Sequence, residues 1–180
     1  MKEKINIATA VESIPEKYQP IFGHPLLSDG SSRGCEDRLA VIRHCTGRLQ
    51  EKLKRPLRIL DLGCAQGYFS MSLASDGHTV HGVDFLDLNV AVCNALAREY
   101  PQCNVSFQHG TIQEVIAELA PGSYDLVLGL SVFHHLIHEQ GLETCIELCR
   151  RLSEMIAAGI FELAVREEPL YWAKIGRAHV

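Results

Sequence analysis

"LRILDLGCAQGYFS", residues 57–70, decides how the chain folds. Leu57 to Leu62 is apolar except for Arg58 and Asp61, and its length suits a buried strand. Gly63, Cys64 and Ala65 follow, with Gly67 close behind, and then a segment of helical character. A strand that runs through a nearly side-chain-free turn into a helix predicts the first unit of an α/β sheet. Glycines at 63 and 67 permit a tight turn and let a ligand approach the backbone.

Outward from this stretch the pattern alternates. Strands are predicted at 57–62, 78–84, 104–109, 124–130 and 159–165. Helices are predicted at 36–54, 66–76, 88–100, 112–120 and 140–156, with residues 1–34 irregular. The expected fold is a Rossmann-like parallel sheet with helices on both faces. Ligands of such sheets lie beyond the carboxyl ends of the strands, where the strand order switches.

Bulk composition narrows the function. The 180 residues suffice for one domain, with 47% hydrophobic and 22% charged residues. A net charge of −5 without a basic block argues against a nucleic-acid partner. The N-terminal "MKEKINIATAVESIPEKY" carries no long apolar run, so neither a secretion signal nor a membrane span is expected there. Seven cysteines, scattered without a CxxC pair, predict free thiols in a reducing cytoplasm.

The turn departs from the dinucleotide pattern G-x-G-x-x-G. Asp61 occupies the first glycine position and Ala65 the middle one. An acid there suits a ligand with a positive end better than a diphosphate. Asp84 closes the second strand, 23 residues after Asp61 (84 − 61), where an acid can accept ribose hydroxyls. A nucleoside with a cationic amino-acid tail, S-adenosylmethionine (SAM), satisfies both carboxylates. Asp61, Gly63, Cys64, Ala65, Gly67 and Asp84 are therefore expected to bind the cofactor, with Phe85 packed on the adenine.

With these motifs the sequence resembles the class I SAM-dependent methyltransferases. "IFGHP" (21–25), "LDLGCAQGYFSMSLAS" (60–75), "GLSVFHHLIHEQG" (129–141) and "ELAVREEPLYW" (162–172) are similar to one group within them. That group is the N-terminal methyltransferase domain of the bifunctional O-antigen chain-terminating methyltransferase/kinases. The resemblance implies an adenine contact at Gly110, Thr111 and Ile112. Thr111 stands where an acid is common, and it is equally suited to cap the helix that follows. The resemblance also implies cofactor contacts from Tyr18, Gln19, Arg38, Leu130 and Ser131, with Arg38 against the carboxylate, and acceptor or catalytic residues at His134 and His135.

The spacing H-H-L-I-H, residues 134–138, mimics a zinc-protease motif, but His135 sits where the general-base glutamate belongs, and no metal is expected. The implied acceptor is a glycan, a mannose-type polysaccharide end, phosphorylated or bare. Arg33, Arg38 and Arg166 are candidate cations for a phosphate. Cytoplasmic action at the inner face of the inner membrane is implied, with any membrane association residing in parts beyond this sequence. Members of the resembled class have seven strands, so the sheet is expected to stop short after its fifth. Residues 1–35 are then a lid segment, 36–174 the methyltransferase domain, and 175–180 an artefactual tail. A nicotinamide-dependent oxidoreductase and a non-catalytic scaffold are the competing readings.

Overall fold

The computed structural model describes residues 6–163. Five strands, β1 (Arg58–Leu62), β2 (Thr79–Asp84), β3 (Val105–His109), β4 (Leu126–Leu130) and β5 (Gly159–Glu162), form one sheet in the order β3-β2-β1-β4-β5. Every pairing is parallel. Period-two alternation divides the core. Ile59, Val80, Leu126 and Leu128 join one apolar cluster, whereas Leu60, Leu62, Val83 and Val127 join the other.

The first cluster packs under four helices: α1 (Ile7–Ser13), α2 (Glu36–Leu53), α3 (Tyr68–Ser75) and α4 (Asp87–Glu99). The second packs under α5 (Ile112–Glu118), α6 (Phe133–Gln140) and α7 (Leu142–Met155). Helices therefore cover both faces, as the strand–helix alternation predicts. The chain turns from the β1-β2-β3 side to the β4-β5 side between β1 and β4. That switch brings the carboxyl tips of β1 and β4 together: a Cβ added at Gly63 would lie 2.2 Å from Val132 Cγ1.

Several boundaries differ from the sequence reading. Residues 7–13, expected to be irregular, form α1, capped by Asn6, whose Oδ1 accepts from the Ala8 N–H at 3.0 Å. Ile7, Ala10, Val11 and Ile14 have helical spacing, but the run is only two turns before Pro15. The predicted strand starts at 57 and 78 move inward because the Leu57 N–H is taken by the buried His78 ring, at 3.3 Å from Nδ1. At 124–125 the β4 start yields to Asp125, whose carboxylate accepts from the Arg58 N–H at 2.8 Å. The helix predicted from 66 begins at Tyr68, because Gly67 is left-handed (φ 77°). The helix predicted at 140–156 is the second of two. Gly141 (φ 89°) separates α7 from α6, a further helix in the histidine-rich stretch.

The fifth strand ends at Glu162, and Leu163 is not in a strand. Ala164, Val165, Arg166, "EEPLYW" and the expected artefactual tail lie outside the described residues. Among the described residues, no helix is long and apolar enough to cross a membrane.

Leu60 is fully buried in the middle strand of the sheet. Leu60→Ala is expected to lower unfolding free energy by about 2–5 kcal/mol through lost contacts and a residual cavity. Urea denaturation measures it.

Candidate active site

The site forms where the turn after β1 hangs from the tip of β2. The Gly63 and Cys64 N–H groups both donate to Val83 O, at 2.8 and 2.9 Å. Ala65 is left-handed (φ 49°), and its N–H donates to Asp84 Oδ2 at 2.8 Å. Asp84 is thus aimed at the turn. Its Oδ1 accepts from the Leu86 N–H at 2.9 Å and from Asn89 Nδ2 at 3.1 Å. Phe85 beside it is 60% exposed.

Asp61 is buried on the α3 face of the sheet, where it accepts from Ser70 Oγ at 2.6 Å. Burial pushes its carboxyl up to about 6; the Ser70 hydrogen bond pulls the other way, and the Asp84 charge adds to the rise. Asp61 is therefore a buried carboxylate beside a second carboxylate, with one hydroxyl for compensation. A cation nearby would relieve this arrangement.

Gly110 follows β3, and its N–H donates to Asp84 O at 3.0 Å, which brings the third strand tip to the same edge. Thr111 caps α5 in a reciprocal box. The Glu114 carboxylate accepts from the Thr111 N–H at 2.9 Å and from Oγ1 at 2.8 Å, while Thr111 Oγ1 accepts from the Glu114 N–H at 3.3 Å. The capping reading of Thr111 is the one realised in its side chain. Ile112 opens the helix and packs against the α5 cluster.

The N-terminal segment closes the other side. Tyr18 Oη accepts from Arg33 Nη1 at 3.0 Å. The same nitrogen donates to Ser131 Oγ at 3.1 Å, and Nη2 pairs with Glu162. Arg38 Nη1 reaches the second oxygen of Glu162 at 3.2 Å, with its guanidinium 5.2 Å over the Phe69 ring. Arg33, Arg38 and Glu162 line an open pocket of about 560 Å³ together with Gly34, Glu36 and Asp37. Gln19 is buried and turned inward. Its Oε1 accepts from the Tyr68 N–H at 3.0 Å, capping α3 where Gly67 has no side chain to do so.

Beyond β4, Leu130 is half-buried and Ser131 is left-handed (φ 58°), its N–H donating to Glu162 O at 3.1 Å. His134, buried on α6, lies with its ring centroid 4.4 Å from that of His135. Burial lowers its pKa to about 4, helped by His135 and Arg33 and opposed by Glu162. At neutral pH its imidazole is uncharged. Among the described residues no group of three or more His, Cys, Asp or Glu side chains could hold a metal ion.

The expected cofactor residues thus gather along one sheet edge. The sequence reading missed Gln66, Asn89 and Glu162. Gln66 and Asn89 are amides buried among the glycines and in a helix, a rarity that flags them; Glu162 carries no such signal.

The chain matches the family described as methyltransferase domain over residues 59–154, just over half its length. It is 50% identical over 167 residues, 93% of its length, to the O-antigen chain terminator bifunctional methyltransferase/kinase WbdD of Escherichia coli, of which it covers 24%. A ubiquinone biosynthesis O-methyltransferase of Agrobacterium fabrum is 32% identical over 113 residues, 61% of this chain and 44% of that protein. A crystal structure of WbdD superposes with a TM-score of 0.90 at 48% identity, covering 94% of this chain and 38% of that one. The chain therefore spans about a quarter of the length of the curated WbdD.

Two outcomes follow from the site geometry. Because the native Asp61 proton is held more tightly than in the unfolded chain, the native state binds more protons between pH 3.8 and about 6. Its contribution to stability therefore falls as pH rises through that window, by on the order of 3 kcal/mol in all. The difference in unfolding free energy between the unsubstituted chain and Asp61→Asn, followed by denaturant titration at several pH values, should show this decline. Thr111→Ala should cost about 0.5–2 kcal/mol in the same assay through the lost cap.

Proposed function

The chain belongs to the methyltransferase domain family, and on that premise we propose that it binds SAM along the tips of β1, β2 and β3. In this reading it transfers the methyl group to the terminal sugar of a bacterial surface polysaccharide and so ends chain growth. The observation that carries the cofactor assignment is the left-handed turn flanked by two buried carboxylates, Asp61 and Asp84. A ligand with a cationic tail and a ribose answers both: Asp84 accepts from the ribose, and the cation offsets the Asp61 charge.

The remaining roles follow from position. Phe85 stacks on the adenine, whose edge meets the backbone of Gly110, Thr111 and Ile112. Gly63, Cys64, Ala65 and Gly67 form the turn that lies beside the ligand; the missing side chain of Gly63 makes room for Val132, and that of Gly67 for Cys93 and Phe107. Arg38 meets the carboxylate of the amino-acid tail, with Tyr18, Leu130 and Ser131 around it. Gln19 acts indirectly, by holding the first turn of α3.

SAM supplies a methyl group on a sulfonium sulfur, already activated toward displacement, so the protein's task is mainly alignment. A sugar hydroxyl would also need a base with a pKa near the working pH. His134, with its pKa lowered to about 4, is a weak base for that purpose. A phosphate monoester needs none, since its second pKa is about 6 and it arrives largely dianionic. The neutral His134, with His135 beside it, is then a hydrogen-bonding partner of the acceptor, and Arg33 supplies positive charge at the β5 tip. The WbdD relative is described as a methyltransferase/kinase, and phosphoryl transfer is the reaction class that would generate such an acceptor. We place this action in the cytoplasm, at the inner face of the inner membrane.

Calorimetric titration with S-adenosylhomocysteine (SAH) and with NADH is expected to show binding of the former alone; binding of NADH alone would make the chain an oxidoreductase. With labelled SAM, label should pass to a phosphorylated, mannose-terminated oligosaccharide and not to its dephosphorylated form. The reverse preference would assign a hydroxyl acceptor, and SAH binding without any transfer a scaffold role.

A further inference from the structure

Gln66 sits inside the glycine turn yet is almost wholly buried, and so is Asn89 on α4. Together they link the N-terminal segment to Asp84. The Gln19 N–H donates to Gln66 Oε1 at 3.0 Å. Gln66 Nε2 donates to Asn89 Oδ1 at 2.7 Å and to Glu16 O at 3.2 Å. Asn89 Nδ2 donates in turn to Asp84 Oδ1 at 3.1 Å.

The direction of this chain is fixed by chemistry. An ionised carboxylate only accepts, so Asn89 must turn its NH2 toward Asp84. Its carbonyl then faces Gln66, which must offer its own NH2. The carbonyl of Gln66 is thereby left for a donor, and the backbone N–H of Gln19 is that donor. A flip of either amide would set carbonyl against carbonyl or NH2 against N–H in a buried place, which is costly.

The same chain settles what Asp84 can do. Oδ1 accepts from Leu86 N–H and Asn89, which uses both of its lone pairs; Oδ2 accepts from Ala65 N–H, which leaves one. The open acceptor position belongs to Oδ2, and the two donors on Oδ1 hold the carboxylate in that orientation.

We propose that Gln66 and Asn89 are positioning residues that orient Asp84 toward a ribose hydroxyl and make that orientation depend on docking of the segment around Glu16–Gln19. The proposal rests on the reading of Asp84 as the ribose acceptor. It gives the N-terminal segment a part in discriminating ribose, beyond covering the site.

The test is a cycle between protein and ligand, read by calorimetry with SAH and its 2′-deoxy and 3′-deoxy analogues on the whole chain. In the unsubstituted chain, loss of one hydroxyl should weaken binding by roughly tenfold or more, the usual range for a hydrogen bond to a charged group. Loss of the other should have a smaller effect. In Asn89→Leu and in Gln66→Met, the discrimination should shrink to about threefold or less. The ratio of affinities for SAH and 5′-methylthioadenosine, which lacks most of the amino-acid tail, should stay unchanged. A general loosening of the fold would move both ratios.

Asp84→Asn separates the two layers of the claim. If it binds SAH as the unsubstituted chain does, the ribose reading of Asp84 is wrong. If it loses discrimination while Asn89→Leu and Gln66→Met retain it, the relay is overturned and the ribose reading stands. Should the substituted chains fail to fold, the side-chain NH2 protons of Gln66 and Asn89 in the unsubstituted chain decide by NMR. Slow exchange, with shifts on SAH binding that the sensitive deoxy analogue does not reproduce, supports the relay; fast exchange overturns it.

Discussion

The turn after β1 cannot hold its shape by itself, and most of the site depends on how β2 holds it. Three successive N–H groups, from Gly63, Cys64 and Ala65, are satisfied by acceptors at the end of β2: the Val83 carbonyl takes two and the Asp84 carboxylate one. Ala65 adopts a left-handed conformation that a residue with a Cβ reaches only at a cost. The charge-assisted bond to Asp84 offsets that cost. Asp84 therefore anchors the turn and, in the proposed reading, also meets the ribose. Parallel pairing of β1 with β2 in the register Leu62 to Val83 is what delivers both groups to the same place.

The opposite end of the sheet shows what an inert charge cluster looks like. Asp125 precedes β4 and is held by Arg55, Arg58 and the Arg58 N–H, with contacts of 2.7–2.9 Å. Hydrogen bonding to Arg55, then to Arg58, holds its carboxyl well below the usual range. This cluster locks the amino ends of β1 and β4 and leaves its carboxylate fully compensated. Asp61, at the other end of β1, has one hydroxyl partner and an acidic neighbour, and its carboxyl moves the opposite way. Two aspartates, one near the end of β1 and one just before β4, thus separate into a structural one and a functional candidate by the sign of their environment alone.

How far the sequence discloses this varies by residue. The strand at 58–62 and its turn are legible because burial on both faces demands a mainly apolar run, here Ile59, Leu60 and Leu62, and the bend demands glycine. The edge position of Asp84 is legible because a parallel sheet places successive strand ends side by side. The break at Gly141 was not, since the helical spacing of Leu142, Cys145, Ile146 and Cys149 says nothing about what precedes it. Helix α1 was hidden by its length, two turns being too short for periodicity to stand out. The partners of Glu162 were beyond reach, because Arg33 and Arg38 lie 129 and 124 residues away and only the fold makes them neighbours. Thr111 marks a middle case: its local capping role was readable, and the structure realises it.

Burial is the largest influence on both Asp61 and His134, yet it prepares them for opposite partners. Removing water disfavours charge, so it makes the aspartate hold its proton and the histidine release one. At neutral pH the aspartate is nonetheless ionised, and its charge is poorly compensated; the imidazole is neutral and gains nothing from an approaching cation. The electrostatic demand for a positive group is therefore concentrated at β1 and β2, while the β4 side offers the neutral His134 ring beside the Arg33–Arg38–Glu162 cluster. In the proposed reading a cationic donor and an anionic acceptor are drawn to different parts of the site. Between them lie the tips of β1 and β4, where the Val132 side chain fills the space that Gly63 leaves. In the proposed reading the donor and acceptor must meet end to end, the alignment that an in-line methyl transfer needs.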